Sequence, residues 1–543
     1  VAELEAQRGR HGAALDAWRQ VPSAARGEGY WRQLTWAAAR VGPEAAMAAY
    51  DEAWSSGHAD AAQCLEAARL HAMARQPADA LVWYERHLAA PGATPVGLEL
   101  ELARAHLGAG HAADAALWAS RARADAGVRA DAMYVEAQAR HLAGQPREAA
   151  ALLEDLLDDT RASAPITGEW LAWLARTSQA RGRTLDAYVR FGEALARGAT
   201  PAGEFWLARG DLAHGRGDLW RARTNYTDAS RAGAEDAASR LEGLGAERRP
   251  VAAIPTEVFW DTNDFRHASV AGRLSLRPTD RARLAGEWAT GRVSQGATAF
   301  DRSAATIVID RLFPTERTTL GGQIGIEQAR GATQPLWRVD GAWHHTGGQA
   351  VQVEAFRESP WRADTWDARM RYNRITDLAR IPGDFHATGL RVGAVLPITD
   401  HQELQGNVAA RTFSDGNRQA QAYLQYQVPL SSRRDTWVAL QPYGYVEQWE
   451  RSDPRYFSPE QQVTAGATLR AIVRRGAWEV DVSATPQYLR SESRTGFGYA
   501  AVGSVRRDVG PVSVGASGMV FDDRKMAYRV QRVTVDVQVP IGR

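Results

Sequence analysis

Carboxylates and guanidinium groups recur at alternate positions through the second half of the chain. Arg338 and Asp340, Glu354, Asp367 with Arg369 and Arg371, Glu403, Arg411, Glu479 with Asp481, and Asp536 stand between small or apolar neighbours. On an extended strand this spacing puts every charge on one face. Such a face can brace a wall by internal ion pairing, or offer a polar solute many weak contacts, none tight enough to hold it. A second group mixes acids with aromatics in less regular stretches. Glu358, Trp361 and Asp364 fall within residues 357–364; Glu447, Trp449, Glu450, Asp453 and Tyr456 fall within residues 447–460. These read as long loops that either fold into an opening as gates or stand as ordinary surface connections. Asp415, in Ser414-Asp415-Gly416-Asn417, suits an Asx turn better than a ligand contact.

Other chemistries fit less well. A glycoside-cleaving pair needs two carboxyls held several ångströms apart across a cleft, and nothing in the sequence fixes Glu447, Glu450 or Asp453 that way. His344 and His345 are adjacent and on a strand would point to opposite faces, which argues against a shared metal. Phosphate-cradling glycine loops, nucleophile elbows and Cys/His ligand spacings do not occur. The expectation is a non-enzyme without cofactor or metal. A formal charge of +1 gives no case for nucleic acid, and the single cysteine, Cys64, forbids an intrachain disulfide. Lys525 is the one lysine, so arginine carries nearly all the positive charge. No apolar run reaches the roughly 18 residues of a spanning helix, a test to which barrel strands are blind. The chain starts at Val1 without an initiator Met or a signal peptide, as a processed or truncated product would.

The elements that must position these charges are β-strands. In residues 401–428, Leu404, Gly406, Val408 and Ala410 alternate with Glu403, Gln405, Asn407, Ala409 and Arg411; beyond the Asp-Gly-Asn turn, Ala420, Ala422, Leu424, Tyr426 and Val428 alternate with Gln419, Gln421, Tyr423, Gln425 and Gln427. That is a hairpin with one apolar and one amide-rich face. The same texture continues to Val533, Val535, Val537, Val539 and Ile541 against Arg532, Thr534, Asp536 and Gln538. About sixteen such segments follow Thr256, close to the ten residues per strand plus turns of a membrane barrel. A soluble β-sandwich is the rival, but charges of both signs at mid-strand suit a watered lumen better than a packed core. Trp288, Trp343, Trp366, Trp437 and Trp478 read as an interfacial belt.

The first half is different. A turn residue, an alanine five positions on and a bulky residue nine positions on recur as Gly9-Ala14-Trp18, Val41-Ala46-Tyr50, Arg75-Ala80-Tyr84, Gly110-Ala115-Ala119, Gly144-Ala149-Leu153, Gly182-Ala187-Phe191 and Gly217-Ala222-Tyr226, spaced 32 to 38 residues apart. This is the period of tetratricopeptide repeats, paired helices that stack into a superhelix with a binding face. Trp31, Trp170, Trp173 and Trp206 read as packing residues between helices, and Glu154, Asp155, Asp158 and Asp159 as a solvated face. The predicted architecture is α + β and multidomain: an α-solenoid of tetratricopeptide repeats over 1–247, a linker over 248–255, and a transmembrane antiparallel β-barrel of about 16 strands over 256–543.

That combination resembles the bacterial exopolysaccharide export porins. Phe413-Ser-Asp-Gly-Asn417, Arg455-Tyr-Phe-Ser-Pro459 and Arg357-Glu-Ser-Pro360 are most similar to the poly-N-acetylglucosamine type, with cellulose and Pel porins as the alternatives. The chain departs from the common barrel pattern at Ile541-Gly542-Arg543, where a terminal aromatic often stands. The resemblance implies an outer-membrane, monomeric barrel that passes an exopolysaccharide to the surface. It also implies periplasmic repeats that dock a polysaccharide-modifying, deacetylase-type partner, with outer-membrane lipid around the barrel. A surface receptor or adhesin, or a repeat scaffold without transport, remains the alternative of another class.

Overall fold

The computed structural model describes residues 1–90, 96–158, 163–359, 375–433, 435–456, 458–492, 494–523 and 528–541. Among them the helices are α1 (Ala2–Gln7), α2 (His11–Arg19), α3 (Glu28–Val41), α4 (Pro43–Ser55), α5 (Ala61–Met73), α6 (Pro77–Ala89), α7 (Glu99–Gly108), α8 (Ala112–Ala122), α9 (Arg129–Leu142), α10 (Pro146–Asp158), α11 (Ala164–Ala180), α12 (Thr184–Ala196), α13 (Ala202–Gly215), α14 (Leu219–Arg231) and α15 (Ala237–Ala246). The repeat pattern has a direct structural counterpart. Gly9, Arg75, Gly110, Gly144, Gly182 and Gly217 all take left-handed backbone at helix–helix turns, with φ between 58° and 83°. The alanines five positions on, Ala14, Ala46, Ala80, Ala115, Ala149, Ala187 and Ala222, are fully buried, as small residues must be where helices approach closely. Tyr50, Tyr84, Leu153, Phe191 and Tyr226 fill the remaining space and are buried in turn. Trp31 and Trp170 belong to these cores.

The strands are β1 (Val251–Asp261), β2 (Phe265–Thr279), β3 (Ala282–Gln295), β4 (Thr298–Leu312), β5 (Thr318–Ala329), β6 (Ala332–His344), β7 (Ala350–Glu358), β8 (Ala387–Pro397), β9 (Glu403–Phe413), β10 (Arg418–Ser432), β11 (Thr436–Trp449), β12 (Gln461–Arg475), β13 (Trp478–Ser491), β14 (Arg494–Val509), β15 (Val512–Asp523) and β16 (Tyr528–Pro540). Each pairs antiparallel with its sequence neighbours, and β1 closes on β16 from Val251↔Pro540 to Asp261↔Val530. One sheet closed on itself replaces the sandwich alternative. The β9–β10 hairpin has the expected register, with Gln421 opposite Ala409 across the turn at Gly416.

One boundary differs from expectation. Val251–Pro255, read as linker, is the first half of β1. Pro255 lacks an N–H, and the β1–β2 register passes from Ala253↔Arg273 to Thr256↔Val270 without pairing it. The β1–β16 ladder on its other side runs through Pro255↔Asp536 unbroken.

The chain divides into two compact units, Val1–Ala180 with Ala196–Ala199, and Arg181–Leu195 with Thr200–Arg543. The last helices therefore belong with the barrel. Within this second unit, Arg181 Nε bonds both Asp400 oxygens at 3.0 Å, and Arg223 and Arg248 reach Asp280 at 2.7 and 2.9 Å. Arg216 donates to the Glu316 carbonyl, and Arg281 lies 3.8 Å over the Trp220 ring. All these barrel partners lie in the short β2–β3, β4–β5 and β8–β9 turns, so α13–α15 and the turn before α12 ride on one rim.

Helix packing in this unit leaves no slack at Gly210. A Cβ there would lie 2.4 Å from two ring carbons of the buried Tyr226. Gly210→Ala is expected to cost about 1–3 kcal/mol by overpacking, read as a lower midpoint for loss of the 222 nm helical signal; an unchanged midpoint would contradict this packing.

Candidate functional site

Alternation along the closed sheet sorts every side chain to the wall's outside or inside. Outside, Ile324, Val339, Ile307, Val408, Leu424, Leu469, Val482 and Val535 are exposed, with Ile324 at 66% and Val339 at 62%. So broad an apolar exterior on a closed barrel is a lipid-facing surface. No described helix is long and apolar enough to cross a membrane. Trp343 and Trp478 stand on this outer face near the helix-bearing rim. Two of the expected belt residues sit elsewhere. Trp288 is mid-strand, lying over Gly272, where a Cβ would come within 2.3 Å of its indole nitrogen. Trp437 shares the parity of Ala439 and Gln441 and faces the lumen, with Arg470 6.0 Å over its ring. Trp366 lies outside the described residues.

The inner face is a mesh of ion pairs. Arg470 grips Asp481 with two bonds of 2.9 and 2.5 Å, Arg391 donates to Glu354 at 3.0 Å, and Arg474 to Glu479 at 2.6 Å. Arg338 and Asp340 stand 3.5 Å apart, and Arg506 lies 3.7 Å from Asp536, which also accepts from Gln538. Gln405 donates to Glu403. Arg411 is buried: its guanidinium bonds Glu358 at 3.1 Å, Gln419 at 3.0 Å and Gln421 at 2.8 Å. Asp367, Arg369 and Arg371, like Trp361 and Asp364, lie outside the described residues.

Several inner-wall groups were not singled out by sequence. Arg302 and Glu327 form a buried pair at 3.5 Å, with Gln334 donating to Glu327 at 3.1 Å. Tyr423 and Tyr443 lie 6.0 Å apart; Tyr443 donates to Gln487 at 2.6 Å and Tyr423 donates to Gln425. With Gln441, Thr468, Arg470 and Asp481 they line a cavity of about 240 Å³. The same alternation that picked out the charges contained all of them. Restricting attention to ionised groups left out the tyrosines and amides.

At the rim opposite the helices, residues 375–386, which lead into β8, pack inside the ring of strands. Ile375, Leu378, Ile381 and Phe385 are buried in one cluster with Phe259, Phe265, Val293, Ala329, Phe413, Trp449, Phe521 and Val530, inward residues of eight different strands. Arg330 donates to the carbonyls of Leu378 at 2.8 Å and Ile381 at 2.6 Å, and Gln295 accepts from Leu378 N at 2.7 Å. Residues 375–386 therefore form a plug in this mouth. Its apolar residues recur at intervals of three and four, a period foreign to the surrounding strands and the signal that sequence reading passed over.

The described residues of the three motifs that carry the family resemblance lie at the same mouth. Asp415 makes the Asx turn, accepting from Asn417 N at 3.0 Å, and also accepts from Arg455 at 2.6 Å and Tyr456 at 2.9 Å. Asn417 reaches the Tyr456 hydroxyl at 3.0 Å, and Phe413 stacks on Tyr456 and Trp449. Thr376 of the plug donates to the Arg455 carbonyl at 3.0 Å. The described gate residues thus divide into two kinds. Glu447 and Trp449, expected in a loop, end strand β11, because the alternation runs on to Trp449; Glu447 is buried and accepts from Gln419, Tyr445 and Trp449. Glu358 likewise ends β7 and holds Arg411. Glu450, Asp453 and Tyr456 are true loop residues; Glu450 is 3.7 Å from Arg418, and Asp453 takes two bonds from Arg455. Each of the three acids weighed as a glycosidase pair has its own separate partners.

The helix-bearing rim holds a second cavity, of about 540 Å³, with His344, His345, Arg183, Arg216 and Arg311 among its lining. The two histidines share it because β6 ends at His344, so His345 is a turn residue and strand parity does not separate them.

No family model and no curated protein matches the chain. Among solved structures, a bacterial polysaccharide outer membrane secretin is 14% identical over 54% of this chain and 99% of its own, with a TM-score of 0.44. A tetratricopeptide repeat protein from Parabacteroides merdae is 14% identical over 45% of this chain and 96% of its own, at 0.32. CdiB from Acinetobacter baumannii is 8% identical over 53% and 60%, at 0.36. The architecture itself is read from the helix hairpins and the strand ladder, an α-solenoid of tetratricopeptide type followed by a closed sixteen-stranded barrel.

Two outcomes follow. Arg411→Leu strands buried Glu358 without its cation and should cost about 3–5 kcal/mol, seen as a lower urea midpoint in detergent, with most of the loss recovered in Arg411→Leu/Glu358→Leu. The Arg455 guanidinium hydrogen-bonded to Asp453 holds that carboxyl below its usual range. A depressed folded value means the pair's contribution is complete above the ordinary carboxylate value of about 4 and fades as pH falls through the lower one. The packing of this loop, followed by limited proteolysis, should therefore be unchanged from about pH 5 to 8 and loosen only in stronger acid, with Arg455→Ala abolishing the transition.

Proposed function

We propose that this protein is an outer-membrane channel exporting an exopolysaccharide, poly-β-1,6-N-acetylglucosamine or a similar biofilm polymer. The observation that carries this reading is the inner wall: a continuous lining of paired charges, amides and tyrosines inside a barrel with an apolar exterior. Sugars are bound by hydrogen-bonding edges and aromatic faces, and the Tyr423–Tyr443 cavity beside Arg470–Asp481 offers both. Because the cations and carboxylates neutralise one another, no single contact is strong, as passage of a long polymer requires. Partial deacetylation would expose ammonium groups, which Asp481, Glu354, Glu403 and Asp536 would attract.

Orientation follows from the two rims. Barrel proteins keep short turns in the periplasm and longer loops outside. The short turns of the helix-bearing rim support a periplasmic location for the repeats, where their binding face would receive a polysaccharide-modifying, deacetylase-type partner. The plug then closes the external mouth. A receptor barrel would also have a closed mouth, so the plug leaves this second reading to be separated by experiment.

Planar-bilayer conductance of the full chain separates them. Replacing residues 375–386 by a Gly-Ser segment of equal length should raise conductance several-fold; deacetylated glucosamine oligomers should block it, and Tyr443→Ala should weaken that block. A barrel that inserts yet stays closed after the replacement would favour the receptor.

A further inference from the structure

Outside the barrel, one cluster of side chains has the composition of a metal site. His106 in the last turn of α7, His111 just before α8 and Asp114 in its first turn each present a ligand atom, and all three atoms lie within 4.8 Å of one another. The hairpin turn creates the cluster: Gly110, at φ 83°, reverses the chain so that His111 N bonds the His106 carbonyl at 2.9 Å and the two imidazoles lie 5.8 Å apart. His106 Nδ1 is buried and has no hydrogen-bond partner among the described residues. A buried ring nitrogen without a partner is unfavourable in itself. A cation bridging the three side chains would satisfy it.

We propose that His106, His111 and Asp114 bind one divalent transition ion of the Zn²⁺ class. Two imidazoles and a carboxylate are the donor set that borderline ions prefer, whereas Mg²⁺ and Ca²⁺ favour oxygen alone. Three protein ligands on a half-exposed hairpin leave the remaining coordination positions to water or an incoming group. The ion would tie the end of α7 to the start of α8 and so stiffen this repeat. The inference is independent of the transport reading, because it concerns a helical hairpin far in sequence from the lumen.

The test is Co²⁺ and Zn²⁺ binding to the tag-free full chain in detergent. One equivalent of Co²⁺ should give d–d absorption bands, Zn²⁺ should displace it and raise the helical melting midpoint, and His111→Ala and Asp114→Ala should each weaken binding tenfold or more. Both substituted side chains are exposed, so folding is checked by an unchanged helical spectrum. Absence of binding at about 100 µM metal, or stoichiometric binding unaltered in both variants, would overturn the proposal.

Discussion

Closure of the sheet is the constraint on which the rest depends. Lipid offers backbone N–H and C=O groups no partners, so a strand can cross a bilayer only where both its edges are paired. The β1–β16 ladder supplies the last pairing, eleven residues long, from Val251↔Pro540 to Asp261↔Val530. Once the ring is closed, the parity of each residue is fixed, and one residue of slippage would exchange wall for lumen across a whole strand. Val408 outside and Arg411 inside are two readings of one register. The polar lining is therefore inseparable from the apolar belt.

The two ends of the bore are built by different physics. At the helix-bearing rim, arginines on the helices and the preceding turn engage carboxylates and carbonyls of short turns, as at Arg181–Asp400 and Arg223–Asp280. These contacts are directional and polar. At the other rim, Ile375, Leu378, Ile381 and Phe385 meet aromatic residues from around the ring in a small hydrophobic core, with Arg330 and Arg455 tying its edge. The plug is thus held by area and by a few charge-assisted bonds. Such a core has far less surface to bury than a domain.

Repeats and strands were legible in the sequence because each rests on a short period. The turn-alanine-aromatic triplet reappears as left-handed turns, fully buried alanines and filled gaps, and even Arg75 adopts the glycine-like φ of 58° that its position demands. Alternation likewise placed Arg411, Glu354 and Asp481 on the inner face. What could not be read was partnership: that Arg411 would meet Glu358, or that Asp415 and Asn417 would meet Arg455 and Tyr456, depends on closure bringing distant segments to one rim. Residues 251–255 read as linker, although the β1–β16 ladder runs through them and only one of Pro255's two ladders is interrupted. The plug was missed because its spacing matches neither strand nor loop composition.

A lumen whose charges satisfy one another bears on what such a wall can do. A buried ion pair recovers most of its desolvation cost from its own partner, so it has little left to offer a passing solute. Arg411, engaged by Glu358, Gln419 and Gln421, is a structural brace of this kind. The half-exposed groups are different: Arg470 and Asp481 stay partly hydrated beside Tyr423 and Tyr443, and exchange of water for a sugar hydroxyl there is nearly neutral. The wall therefore combines enclosed braces such as Arg411 with partly exposed pairs such as Arg470 and Asp481. A surface built this way offers many weak contacts rather than one strong one, because each charged group already has a partner of its own.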